Sequence, residues 1–240
     1  MRTQYLAFVQ QLPPEFDEMR KQAAVKTAEW LKNHPENFDV CTGYMSLLLA
    51  LRHPDLAALE AESIPYHQWI IAKNPEMVGY HFTFGEQLLR LEKFAEAKAE
   101  FEQVLARERR HQLAHRGLAI ALQNLGESKK AEDSFKRALH WAKEKGGNVA
   151  MFHTSLGIFY LNQKRWPEAI KSFEEAGKES LEYYGNHWGI AKAQCELGKL
   201  AEAKQSLERA LADPGLRSPA KDEIEKMLAD ISQRLTAPEG

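Results

Sequence analysis

Apolar positions in this chain recur with helical spacing, and they do so in blocks. Between residues 78 and 211 a large apolar residue followed by a small one appears four times: Phe84-Gly85, Leu118-Ala119, Leu156-Gly157 and Ile190-Ala191. About a dozen residues after each comes an alanine with a large apolar residue four positions on: Ala97/Phe101, Ala131/Phe135, Ala169/Phe173 and Ala203/Leu207. Those alanines are separated by 34, 38 and 34 residues. Leu156, Gly157 and Tyr160 share one face of a first helix, and Ala169, Phe173 and Ala176 share one face of a second. The small residues let the two helices approach closely, while the phenylalanine fills the wedge between hairpins. One such hairpin cannot bury its own apolar face, so its neighbours must stack in a nearly one-dimensional array.

A 34-residue helix–turn–helix period with this large-small, Ala-x3-Phe pattern resembles the tetratricopeptide repeat (TPR) family. The resemblance implies an all-α, right-handed superhelical solenoid of about six antiparallel hairpins plus a C-terminal capping helix. Residues 76–214 hold the four well-formed repeats, with Gly146-Gly147 as the loop that absorbs the longer middle step. Residues 1–75 read as two degenerate hairpins. Thr3-Gln4-Tyr5-Leu6 recurs there as Thr42-Gly43-Tyr44-Met45, and Pro65 is expected to split or kink the second. Over 218–235, Ser218-Pro219 reads as a cap and first turn. Ile224, Met227, Leu228, Ile231 and Leu235 come next as the apolar stripe of the capping helix, and 236–240 as a frayed tail. At the front Tyr5, Leu6, Phe8 and Val9 form an uncapped apolar edge, a place for self-association or docking of a partner.

Composition narrows the work such an array could do. The formal net charge of -2 offers no field favouring nucleic acid or an anionic membrane. No apolar run approaches the ~20 residues that span a bilayer, and the start lacks a secretory core, so a cytoplasmic location is expected. Cys41 and Cys195 lie in hairpins far apart in a stack, which argues against a disulfide. Phosphate loops, zinc-protease motifs, Cys-x-x-Cys pairs and nucleophile elbows do not occur, and the carboxylates sit among lysines on solvated helix faces. The chain therefore reads as non-enzymatic, with no cofactor.

Two polar patterns stand apart from those solvated faces. His81, His115, His153 and His187 hold the same place in successive repeats. Packed helices stand about 8–10 Å apart and zinc–nitrogen bonds need about 2 Å, so the ladder cannot converge on one metal. The histidines read as structural, hydrogen-bonded within their hairpins. Arg107, Arg109, Arg110 and Arg116 cluster at one helix end and the next helix start, where cations complement the macrodipole. No aromatics are interleaved to stack nucleobases.

In TPR-like stacks one face of every first helix lines the concave surface. Carried onto this chain, the resemblance implies a partner-binding groove made by Phe82, Glu86, Arg116, Ile120, Asn124, Thr154, Ile158, Asn162, Trp188 and Lys192. Some family members clamp chaperone C-terminal carboxylates with lysines and asparagines; here Phe82 and Glu86 stand at those positions, and Glu86 would repel a carboxylate. The expected partner is a protein or peptide, held as an amphipathic helix or an extended segment with apolar anchors. The chain thus reads as an interaction scaffold or adaptor. The alternative is a regulatory or sensor subunit serving a separate catalytic chain. His153→Ala should cost about 1–3 kcal/mol by stranding a buried partner, and zinc should not raise the wild-type melting temperature; a zinc-dependent rise abolished by that substitution would reverse the reading.

Overall fold

The computed structural model describes residues 17–34, 43–44, 61, 63–146, 149–179 and 183–236, and every regular element among them is α-helical. In chain order these are α1 (Asp17–Asn33), α2 (Ile64–Lys73), α3 (Val78–Arg90), α4 (Phe94–Arg107), α5 (Gln112–Asn124), α6 (Ser128–Glu144), α7 (Ala150–Asn162), α8 (Trp166–Glu179), α9 (Tyr184–Glu196), α10 (Leu200–Leu211) and α11 (Ala220–Thr236). This is the helical-repeat architecture the periodicity predicts. Compact packing divides the chain into two units, Met1–Leu125 and Gly126–Gly240. The expected apolar edge at Tyr5, Leu6, Phe8 and Val9, most of the two degenerate hairpins, Cys41, Gly147 and the tail beyond Thr236 lie outside the described residues.

In the first unit α3 packs on α2, α4 and α5, and α4 on α5. Pro65 stands in the first turn of α2, where it opens the helix. Ser63, at the cap position, makes no side-chain cap bond and instead accepts a hydrogen bond from the Gln87 amide. The core gathers Phe84, Leu88, Ala97, Phe101 and Val104. The ring of Phe101, fully buried, fits between Gly85 of α3 and Gly117 of α5. A Cβ on Gly85 would lie 2.9 Å from Phe101 Cε1, and one on Gly117 would lie closer still.

The second unit repeats the device. Phe173 of α8 fits between Gly157 of α7 and Gly189 of α9, where Cβ atoms would come to 2.6 Å and 2.5 Å of the ring. Helix α7 packs on α6, α8 and α9, α9 on α8 and α10, and α10 on α11. Glu132 of α6 ties this stack at its side. It accepts from Arg165 Nη1 (2.6 Å), Lys136 Nζ (2.8 Å) and the Tyr160 hydroxyl (3.1 Å), and the Arg165 guanidinium lies 4.5 Å from the Tyr160 ring centre. Burial opposes a charge on Glu132, yet the bonds from Lys136, Arg165 and Tyr160 outweigh it and hold the carboxyl below its usual range.

A left-handed residue closes each first helix. Positive φ occurs at Glu92, Gly126, Lys164 and Gly198, which recur at the same steps of 34, 38 and 34 as the alanines. The amides of Lys93, Arg165 and Lys199 reach back to the carbonyls of Leu88, Tyr160 and Gln194, the 6→1 bond of a Schellman end.

Three expectations change. Three of the four extra residues of the middle step lengthen a helix rather than the connection after it: α6 has 17 residues against 14 in α4 and α8, because Ala142 continues its buried face for another turn. Ser218 does not cap α11, which starts at Ala220; its hydroxyl meets the Asp222 carboxylate at 3.2 Å instead. On α11, Ile224 and Ile231 are buried as expected, but Leu235 is 44 % exposed, since this 17-residue helix outruns the 12-residue α10 that it covers.

His67 of α2 stacks on Phe84, with ring centres 4.8 Å apart. Burial pushes its pKa from 6.5 down to about 3, opposed by Gln87 and reinforced by Arg90. The unfolded chain therefore takes up a proton that the folded one refuses, and stability is lost as pH falls from 6.5 towards 3. Urea titrations across that window should show up to about 1.4 kcal/mol lost per pH unit, with His67→Phe flattening the dependence. The glycine seats give a second expectation. Alanine usually favours a helix over glycine by about 1 kcal/mol, and Gly177→Ala in α8, with open space around it, should stabilise accordingly. Gly157→Ala must displace the Phe173 ring and should instead cost about 1–3 kcal/mol. Equal melting temperatures for the two variants would refute the clamp.

Candidate partner groove

Helix α7 is apolar nearly all round. Its inner face enters the core through Phe152, Leu156 and Phe159, while Met151 and Ile158 stay 44 % and 49 % exposed. Met151, Thr154, Ile158 and Leu161 fall at i, i+3, i+7 and i+10, so they form one stripe facing away from the anchor residues. An apolar stripe left at the surface of a helix that already has a core face is the feature to explain.

Thr154, Ile158 and Leu161 of that stripe, with Asn162, form one wall of a groove of about 560 Å³ in the second unit. The opposite wall is α9, which contributes Tyr184, Trp188, Lys192, Cys195 and Glu196; Trp166 and Tyr183 flank it, and Met227 of α11 enters from the side. Gly185 and Gly189 also line it. Thr154 donates to Asn186 Oδ1 at 2.8 Å, a polar tie between the two walls. Asp213 accepts from the Tyr184 backbone amide at 2.7 Å and so fixes the start of α9.

Charge in the groove is sparse and ordered. Lys192 Nζ sits 3.7 Å from the centre of the Trp188 ring and 3.7 Å from Glu223 of α11. The Trp188 indole N–H is buried and meets no acceptor among the described residues. Burial pushes the Cys195 thiol up.

All five groove residues expected from α7 and α9 line this one cavity: Thr154, Ile158, Asn162, Trp188 and Lys192. The five from α3 and α5 lie in the first unit and are occupied differently. The Phe82 ring packs against Phe101 and His111, with centres at 6.1 Å and 4.9 Å, so it serves the core of its own hairpin pair. Arg116 and Ile120 are half-buried on α5, and Asn124 is exposed but returns its amide to the Ile120 carbonyl at 2.9 Å. Glu86 is half-buried on α3, its backbone carbonyl accepting from Arg90. Sequence reasoning missed Trp166, Tyr183, Tyr184 and Met227. The i, i+4, i+8 spacing of Tyr184, Trp188 and Lys192 was there to be read; Met227 is brought in by the packing of a separate helix and leaves no local signal.

Two histidines of the ladder and one arginine of the cluster have structural partners that define their roles. His81 Nε2 donates to the Pro75 carbonyl at 3.0 Å and its Nδ1 meets Glu100 at 2.6 Å. His115 Nε2 donates to the Arg109 carbonyl at 2.9 Å, again six residues back. Each ring thus tethers the loop that precedes its own helix. Arg107 forks onto Glu76 at 3.1 and 3.5 Å. No group of His, Cys, Asp or Glu among the described residues is placed to hold a metal ion.

Comparison with known proteins agrees with this geometry. Residues 82–149 match the family model described as tetratricopeptide repeat. The fold of the chain is similar to a tetratricopeptide repeat protein from Parabacteroides merdae, at 16% identity and a TM-score of 0.67, over 95% of this chain and 84% of that one. It is also similar to MamA (17% identity, TM-score 0.58, 73% of this chain and 94% of that one). A third likeness is to YrrB, described as a TPR protein with an unusual peptide-binding site (16% identity, TM-score 0.55, 88% of this chain and 100% of that one). No curated protein sequence matches the chain. No helix among the described residues is long and apolar enough to cross a membrane.

Proposed function

We propose that the protein is a non-enzymatic interaction scaffold that holds a segment of another protein in the groove between α7 and α9. The carrying observation is the exposed apolar stripe of α7 opposite Trp188, enclosing about 560 Å³ lined mostly by apolar and aromatic side chains. That volume falls within the roughly 300–1,000 Å³ of sites that hold compact ligands, enough for a few side chains of a bound segment. A large apolar residue costs free energy at the surface, and covering Ile158, which is still half exposed, recovers roughly 1 kcal/mol. Trp188 supplies the aromatic anchor that dominates binding hot spots, and the likeness to a repeat protein with a peptide-binding site supports the same reading.

The revised anchor differs from the expected pair. With Phe82 committed to its own core, Trp188 carries the contact, and Ile158 replaces Phe82 as its counterpart. Trp188→Ala should weaken capture of the native partner by about 2 kcal/mol. A photo-crosslinking residue at Ile158 should capture the partner, whereas one at Lys171, exposed on the second helix α8, should not. Crosslinks confined to Lys171, with unchanged affinity for Trp188→Ala, would move the working surface to the second helices.

A further inference from the structure

Given the docking role of this groove, on which the inference rests, the lining specifies more than an apolar occupant. Its lining is rich in aromatic rings: Trp166 and Phe173 of α8, Tyr183, and Tyr184 and Trp188 of α9. Gly185 and Gly189 let the Tyr183 and Phe173 rings pack directly against the α9 backbone. Lys192 is engaged by the Trp188 ring and Glu223, but Glu196, exposed one turn further along α9, makes no ion pair among the described residues. The unbalanced charge of the groove is therefore negative.

We propose that the occupant is a proline-rich segment in the polyproline II conformation, carrying one basic side chain about four residues from the proline that packs on Trp188. Three features fit this partner. Aromatic-lined grooves favour polyproline II segments, whose rings are flat, apolar and already ordered before binding. Such a chain has no internal hydrogen bonds, so every one of its carbonyls is free to accept from a groove donor such as Lys192. A helical ligand keeps only its last four carbonyls free. Finally the spacing agrees: Glu196 lies eight residues beyond Trp188, roughly 12 Å at 1.5 Å per helical residue, which four polyproline II residues of about 3.1 Å each span. Charge complementarity then places the arginine or lysine of the partner at Glu196.

The test uses the full chain and synthetic probes. Two peptides carry a Pro-x-x-Pro core with arginine four residues before or four after it, because either chain direction could run along α9. A third replaces that arginine with alanine, and a fourth is a leucine-rich amphipathic helix. Calorimetry gives affinity, and the rate of Cys195 alkylation reports occupancy of the groove, in which that thiol lies. One arginine peptide should bind saturably and slow Cys195 alkylation. Trp188→Ala should weaken it about tenfold or more. Glu196→Lys should weaken it about fivefold while leaving the alanine peptide unchanged. Circular dichroism checks both variants, and if Trp188→Ala loses helicity the exposed Glu196→Lys decides alone. Should the leucine helix protect Cys195 while no proline peptide does, this inference falls and the groove reading stands. Should no peptide protect Cys195 and the native partner crosslink only outside the groove, both fall.

Discussion

A single aromatic ring closed between glycines of two successive first helices sets the geometry on which the rest depends. Phe101 does this in the first unit and Phe173 in the second, and in each the ring meets the backbone of both neighbouring first helices directly. Because interiors pack at near-crystalline density, such a contact fixes helix separation to a few tenths of an ångström. The small residue and the large one are therefore a matched pair: alanine at Gly157 or Gly189 would overfill the space that Phe173 occupies, while a smaller residue at Phe173 would empty it.

That closeness has a consequence on the opposite side of the first helices. Drawing α7 and α9 together through Phe173 also sets the width of the groove between their outer stripes, where Ile158 faces Trp188. Phe173 and Gly189 themselves line the groove floor, so the clamp and the site share atoms. Lys192 bridges the α9 wall to α11 through Glu223, and Met227 brings the same helix into the lining. The terminal helix thus both covers α10 and shapes the site.

The polar side chains keep the stack in register. Nε2 of His81 and of His115 each donate to a carbonyl six residues back, holding the loop before each first helix, and Glu132 gathers three donors across α6, α7 and the start of α8. A buried carbonyl left unbonded costs about 1–3 kcal/mol, which is reason enough for a histidine in this position without any ligand role. Of the arginine cluster, Arg107 likewise spends its guanidinium on Glu76 and on the end of its own helix.

Local spacing alone determined the helices, their pairing, the 34-residue period and one glycine of each clamp, Gly85 and Gly157, because these depend on which residues share a helix face. Gly117 and Gly189, which close the clamps from the next hairpin, emerge only from packing. The same rule placed Thr154, Ile158, Asn162, Trp188 and Lys192 on one side of their helices, where the structure joins them in one groove. It also placed Phe82 on that side, yet the Phe82 ring turns in towards Phe101 and His111. Spacing gives the face on which a side chain starts; its neighbours decide where a long ring ends. Met227 entering the groove and the extra turn of α6 were likewise decided by packing. Each depends on contacts between segments distant in sequence, which no periodicity within one segment can encode.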